Sequence, residues 1–497
     1  MNPEARNPRS RLFRVSRALL LTAVVLVSLV ALIWAFENWR GERQWQATVR
    51  AYAAKGDPLD GSGIRPSVIP DDQDAATPPL LRPLTEYTVV KGEPVWRDPA
   101  AIAKWDALQL PPMTGEGRDA RGLTSLSNWQ SAFRATNTFP VPATVGTPAS
   151  DVLSALGRWN AELAELEQAS HRPYARFAGS LNYESMAVLL PQLSRAKAIS
   201  TILRLRCAAR LAAGDTAGAL SDIEFNERWA RLIASDPLLI NELVTIAMQT
   251  IGTGMAWEGL VDHRWSEPQL KALQALFAAR TPREDLLRAF KGERAFGLSM
   301  MDLLVRDPEA ARRDLAAGNQ GNPFPKGLPR GWVRQNQISM VRLHELLSSP
   351  PFPWIVDAGT PRRSERELLD QLKADRPLIY RQLTVMLVPA LYRTMAKADR
   401  VLVTSRLAEI VCALERYRLQ HHDYPESLDA LAPALMTTVP LDPCTAKPFR
   451  YQRNSPDSFR LYSLGPNGRD DGGTFDTDDS KADWAWPLAE PAKKRLF

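Results

Sequence analysis

Ala18 to Phe36 is a run of 19 residues without a charge, and Thr22 and Ser28 are its only polar members. As a helix it is about 28 Å long at about 1.5 Å per residue, close to the roughly 30 Å hydrocarbon core of a bilayer. The pattern therefore predicts a transmembrane helix, with continuation as a helix from residue 37 to about Gly56. Beyond Gly56 the periodicity collapses. Prolines from Pro58 to Pro112 break any long helix, so 37–150 reads as a proline-rich stalk or linker with one strand at Glu86–Lys91. Trp96, Trp105 and Trp129 give this stretch something to bury. From Asp151 to Arg400 helical spacing returns. Ile199, Ile202, Leu205, Ala209 and Ala212 mark one face, Gly214-Asp215 a turn, and Leu220, Ile223, Ala230 and Ile233 the next face. This hairpin resembles a tetratricopeptide unit, but no copy follows at a 34-residue period, so antiparallel helices in one core are expected. Surface loops are expected at Pro323–Pro329 and Pro350–Pro361. A further helix, Lys397–Gln420, carries a narrow apolar stripe at Val403, Leu407, Ile410, Leu414 and Tyr417.

Charge sets a topology. Arg6, Arg9, Arg11, Arg14 and Arg17 precede the apolar run, which predicts a cytoplasmic N-terminus and export of the remainder. A cleaved signal peptide is the competing reading. No small-x-small pair closes the run, however, and Trp34, Phe36 and Trp39 stand there as an interfacial belt. Net charge is +6, of which the first 17 residues supply +4 (five arginines less Glu4), leaving the exported part near neutral. No basic stripe interleaved with aromatics occurs, which argues against nucleic-acid binding. Three cysteines, Cys207, Cys412 and Cys444, are too few for a disulfide framework. Cys412 and Cys444 are close enough in the chain to pair, while packing of both thiols into apolar slots is the simpler expectation.

The last eighty residues carry the most distinctive signatures: Tyr424-Pro425, Leu441-Asp442-Pro443, Pro448 to Tyr451, and Leu461-Tyr462-Ser463-Leu464-Gly465 ahead of an Asp-rich tail. Over about 401–486 this string resembles the C-terminal domain of the major pseudopilins of type II secretion systems. The resemblance implies a helix, a small antiparallel meander and a calcium-binding loop. It also implies carbonyl and side-chain ligands at Leu464, Asn467, Asp478 and Asp479, with Trp484 as the following aromatic. Asn467 stands where the family has an aspartate. Independently of the resemblance, six aspartates fall between Asp470 and Asp483, a density that favours a hard divalent cation with oxygen ligands. Spacing excludes an EF-hand, because Lys481 and Pro487 occupy its glycine and glutamate positions. The apolar run contains no glutamate and no glycine precedes it, so the leader of an assembling pilin is absent.

Catalytic signatures are missing. His344-Glu345 lacks the second histidine of a zinc protease motif, and Phe296 to Met300 lacks the second glycine of a nucleophile elbow. Gly252-Thr253-Gly254 reads as a helix packing point. His421-His422-Asp423 sits at a helix end; His171 and His263 are isolated; Glu162, Glu165 and Glu167 read as a solvated face.

The sequence thus predicts an α+β protein in five parts: a basic tail (1–17), a transmembrane helix (18–36), a stalk (37–150), a helical domain (151–400) and a pseudopilin-like module (401–497). The expected role is non-catalytic binding or scaffolding at the inner membrane, with the bulk periplasmic, calcium as cofactor and envelope proteins as partners. An envelope hydrolase with carboxylates in the helical body, and a divergent subunit of a secretion machine, are the alternatives.

Overall fold

The computed structural model describes residues 8–62, 64, 69–90, 93–113, 117–119, 122–136, 138–177, 190–311, 329–348, 364–375, 377–473 and 483–486. The apolar run and its extension form one helix, α1 (Pro8–Ala54). It is long and apolar enough to cross a membrane, and none of its apolar window is buried within the chain. Burial on α1 begins at Glu37, one residue past the apolar run, and continues at Gly41 and Trp45.

The body is mostly helical. Short helices α2 (Pro99–Asp106), α3 (Leu126–Arg134), α4 (Pro148–Leu156) and α5 (Asn160–Ser170) lead to the longer α6 (Pro191–Ala212), α7 (Thr216–Ile233), α8 (Leu239–Val261), α9 (Glu267–Ala278) and α10 (Pro282–Arg306). The chain then adds α11 (Arg330–Ser348), α12 (Glu365–Asp375) and α13 (Gln382–His421). The expected turn between α6 and α7 is present. Gly214 takes φ +84°, a region open mainly to glycine, and the Asp215 side chain caps α7 by accepting from Gly218 N at 2.8 Å. The strand expected at Glu86–Lys91 forms as β1 (Tyr87–Val90), paired antiparallel with β2 (Glu93–Trp96). A second sheet, β3 (Arg450–Ser455), β4 (Ser458–Ser463) and β5 (Trp484–Trp486), is antiparallel in the order β3-β4-β5.

One hydrophobic core unites segments that the sequence reading kept apart. Leu81, Trp105, Trp129 and Phe133 from the proline-rich stretch share it with Leu203, Phe225 and Trp229 of the helices, and with Leu461, Trp484 and Trp486 of the terminal sheet. Trp105 Nε1 donates to the Leu80 carbonyl, and Leu80 N donates to Glu165 Oε1, so the stretch is hydrogen-bonded to the body. Glu165 and Glu167 are therefore partners of other elements rather than a free solvated face; Glu167 pairs with Arg228 at 3.4 Å.

Helix α13 corrects two expectations. It starts at Gln382, well before Lys397, and passes through Pro389 and across position 400 without a break. Val388 and Leu391, on either side of the proline, are buried, and this packing offsets the lost backbone hydrogen bond. Nor is its apolar surface a narrow stripe. Residues 401–416 are buried nearly all round, because α8, α9, α10 and the terminal sheet enclose the helix. The three cysteines are free and buried. The loops expected at Pro323–Pro329 and Pro350–Pro361 fall outside the described residues, apart from Pro329.

Candidate functional site

A polar cavity of about 300 Å³ lies where α7, α8, α9 and α10 converge. Its wall includes Glu227 and Arg231 from α7, Gln249 from α8, Arg280 just past α9, and Asp285 and Arg288 from α10. These come from positions up to 61 apart, on helix faces brought together only by packing.

Arg280 is the structural centre. Its guanidinium grips both oxygens of Glu227 (3.0 and 2.6 Å) and also donates to Thr253 Oγ1, Ser405 Oγ and the Gln249 carbonyl. Only 4% of Arg280 is exposed. Such a bidentate, fully hydrogen-bonded pair offsets the desolvation of both charges. Gly252 makes room for it: a Cβ there would lie 2.5 Å from Glu227 Oε1. Gly254, by contrast, has nothing within 4 Å, so only the first glycine of the Gly252-Thr253-Gly254 element is a packing point.

The rest of the cavity is less satisfied. Gln249 Oε1 and Arg288 Nε are buried without hydrogen-bond partners. Asp285 accepts from Arg288 at 3.1 Å, and burial holds its carboxyl above the usual range against the pull of Arg288 and Arg231. Three arginines against two carboxylates give the wall a cationic excess. Such a surface suits a small ligand with an anionic group and a hydrogen-bond donor for Gln249 Oε1.

Close by, Glu242 is buried in the first turn of α8 with Oε1 unpartnered. Burial, and then Asp285, push its pKa up to about 8, with Arg288 opposing. A carboxyl whose folded pKa is raised stabilises the fold most while protonated, and that contribution is lost as pH climbs from the ordinary carboxylate range to about 8. Glu242→Gln is therefore expected to flatten the fall in stability between pH 5 and 8, measured as urea midpoints. An unchanged pH slope would refute this role.

The terminal loop is organised by two carboxylates. Asp442, of the Asp-Pro signature, is buried and accepts from Ser463 Oγ (2.8 Å), Cys444 N (2.9 Å) and Leu464 N (3.3 Å), which ties the Leu464-Gly465 turn to the preceding loop. Removing it in Asp442→Ala leaves those donors unpaired at roughly 1–3 kcal/mol. A matching drop in unfolding free energy is the expected result. Asp483 accepts from Asp471 N (2.9 Å) and Gly473 N (2.7 Å). Asp470 meets Arg450 at 3.2 Å. Of the expected ligand set, Leu464 lies on the buried turn. Asn467 uses its side chain within the loop, accepting from Arg469 N and donating to Asp471 Oδ2. Asp478 and Asp479 lie outside the described residues. Among the described residues no group of three or more His, Cys, Asp or Glu is placed to hold a metal ion.

The histidine candidates do not converge. His421 stacks on Tyr417, and His422 caps α13 at φ 59°. Asp423 pairs with Arg453. His344 is buried against Phe290, and burial with Arg294 nearby lowers its pKa to about 3. His263 meets Glu415 at 2.8 Å, and Tyr424, of the Tyr-Pro signature, also donates to Glu415. Sequence spacing gave no signal for the cavity residues, because each is an ordinary polar position on its own helix.

Comparison with family models, with curated proteins and with solved structures returns no match for this chain.

Proposed function

We propose that this is a membrane-anchored binding protein of the cell envelope, whose helical body holds a small anionic ligand between α7 and α10. The observation that carries this reading is the cavity wall, in which buried Gln249 Oε1 and Arg288 Nε lack partners and arginines outnumber carboxylates. Both cavity carboxylates are engaged by arginine, Glu227 by Arg280 and Asp285 by Arg288, which favours binding over acid–base hydrolysis.

In this reading α1 is an uncleaved anchor with a cytoplasmic basic tail and a periplasmic body. The segment from about 401 to Trp486 is a pseudopilin-like element given over to stability, and calcium at Leu464, Asn467, Asp478 and Asp479 completes its loop. The reading gains support from α1, which runs unbroken from the apolar run into the body.

Lactate and inorganic phosphate, each an anion with a hydroxyl donor, serve as probes on the full chain in detergent. Lactate, phosphate or both should raise the melting temperature, as any ligand selective for the native state does, and Arg231→Ser should abolish the rise. No rise with either anion, or a rise unaffected by Arg231→Ser, sinks the ligand assignment. Calcium should raise the melting temperature of the wild type but not of Asp478→Ala/Asp479→Ala.

A further inference from the structure

A second surface of the body sits at the level where α1 leaves its apolar run. Glu37 Oε2 accepts from Tyr380 Oη (2.8 Å), Arg40 (2.9 Å) and Trp332 Nε1 (3.2 Å), and Arg40 also donates to Tyr380 Oη at 2.7 Å. Tyr380 ends a one-turn 3-10 segment, Leu378–Tyr380. The backbone of that turn is bolted to α11: Asn336 Nδ2 donates to the Ile379 carbonyl (2.9 Å) and Ser339 Oγ to the Tyr380 carbonyl (2.7 Å). Helix α11 is in turn pressed against α1. A Cβ at Gly331 would lie 1.9 Å from the Glu37 carbonyl, while Arg334 reaches Glu42 and Gln335 reaches Gln44, so the two helices run parallel. The turn therefore has a fixed height relative to the apolar run.

That height can be estimated. Asn336 is five residues beyond Gly331, roughly 8 Å farther along the axis at about 1.5 Å per residue. Headgroup layers extend a bilayer from about 30 Å to about 40–45 Å, roughly 5–8 Å on each face. Helical side chains lean toward the helix N-terminus, so the Ile379 carbonyl held by Asn336 Nδ2 lies at the outer part of that layer. At this level Leu378 is 58% and Ile379 38% exposed, large apolar side chains that the described residues leave largely uncovered. Nearer the apolar run are Trp39, 58% exposed with the Arg43 guanidinium 5.5 Å from its ring, and exposed Arg330 at the start of α11. Apolar tips among an interfacial tryptophan and arginines match a phospholipid headgroup layer.

We infer that the Leu378–Tyr380 turn is a second membrane contact, which inserts Leu378 and Ile379 among phospholipid headgroups and fixes the body against the bilayer. The inference rests on α1 being a membrane anchor. It goes further in assigning the body an orientation. Thr384 at the start of α13 reaches the Asn336 carbonyl, and the later residues Val388, Leu391 and Met395 share a core cluster with Leu343, Leu346 and Leu347 of α11, so α13 follows α11 away from the membrane.

The test uses the full chain in nanodiscs of phosphatidylethanolamine and phosphatidylglycerol, with an environment-sensitive fluorophore on single introduced thiols. The native thiols are buried. Leu378→Cys and Ile379→Cys should lose more than half their emission when the lipids carry a headgroup spin label. Leu419→Cys, roughly 55 Å farther along α13 by helical rise, should lose none. Val25→Cys with acyl-chain spin labels reports the anchor independently. Quenching at Val25→Cys without quenching at either turn position overturns the second contact and leaves the anchor standing. No quenching at Val25→Cys removes both.

Discussion

Arg280→Met is expected to lower the unfolding free energy by about 3–5 kcal/mol, the range for removing one partner of a buried ion pair. The reason is the state of what remains. Glu227, only 7% exposed, would lose its guanidinium partner, and Thr253, Ser405 and the Gln249 carbonyl would lose a shared donor. The check is urea unfolding of the full chain in detergent, run as a double-mutant cycle with Glu227→Gln. Because the lone carboxylate causes most of the damage, the double variant should be more stable than Arg280→Met alone. A single-variant loss below about 1 kcal/mol, in the range of a surface pair, would mean that the cavity floor is wetter than its burial indicates. The same variant should also weaken anion binding, since Arg280 holds the wall that carries Gln249.

Gly331→Val should separate α1 from α11. The backbones touch at this point: the added Cβ would overlap the Glu37 carbonyl, and at Gly41 it would lie 2.6 Å from the Gly331 Cα. Neither neighbour is a side chain able to swing away. Overpacking of this kind costs about 1–3 kcal/mol and occasionally more, and the upper end is expected here. The expected readouts are a lower melting temperature and new tryptic cleavage at Arg40, which is held at the helix contact by Glu37 and Tyr380. Gly254→Ala in α8 is the matched control. With open space at its Cβ, it should gain about 0.5–1 kcal/mol from helix propensity. If Gly331→Val leaves Arg40 as protected as in the wild type, the rigid joint between α1 and the body does not exist. The orientation inferred for the Leu378–Tyr380 turn would then go with it.

The residues that were legible in the sequence share a property. Ala18–Phe36 declares itself because a long uncharged run needs no partner to be recognised as a helix. Gly214-Asp215 is readable because its chemistry is local: a positive φ and a side chain reaching three residues on. The Asp442-Pro443 and Ser463-Leu464 signatures pointed to a structured terminal loop, and Asp442 does bind Ser463. Helix α13 shows where such reading stops. Its start at Gln382, its passage through Pro389 and its burial on nearly every side depend on what surrounds it, because packing outweighs the penalties of a proline and of a broad apolar surface.

The chain alone therefore determined the apolar anchor-length helix, the helical body and the strand at Tyr87–Val90, all set by interactions among near neighbours. Only the tertiary structure decided that the proline-rich stretch and the terminal sheet enter one core, that Glu227, Gln249, Arg280, Asp285 and Arg288 line one cavity, and that Tyr380 meets Glu37. Those contacts join residues tens to hundreds of positions apart. Their energies come from burial and from charges paired across helices, which no local pattern of residues encodes.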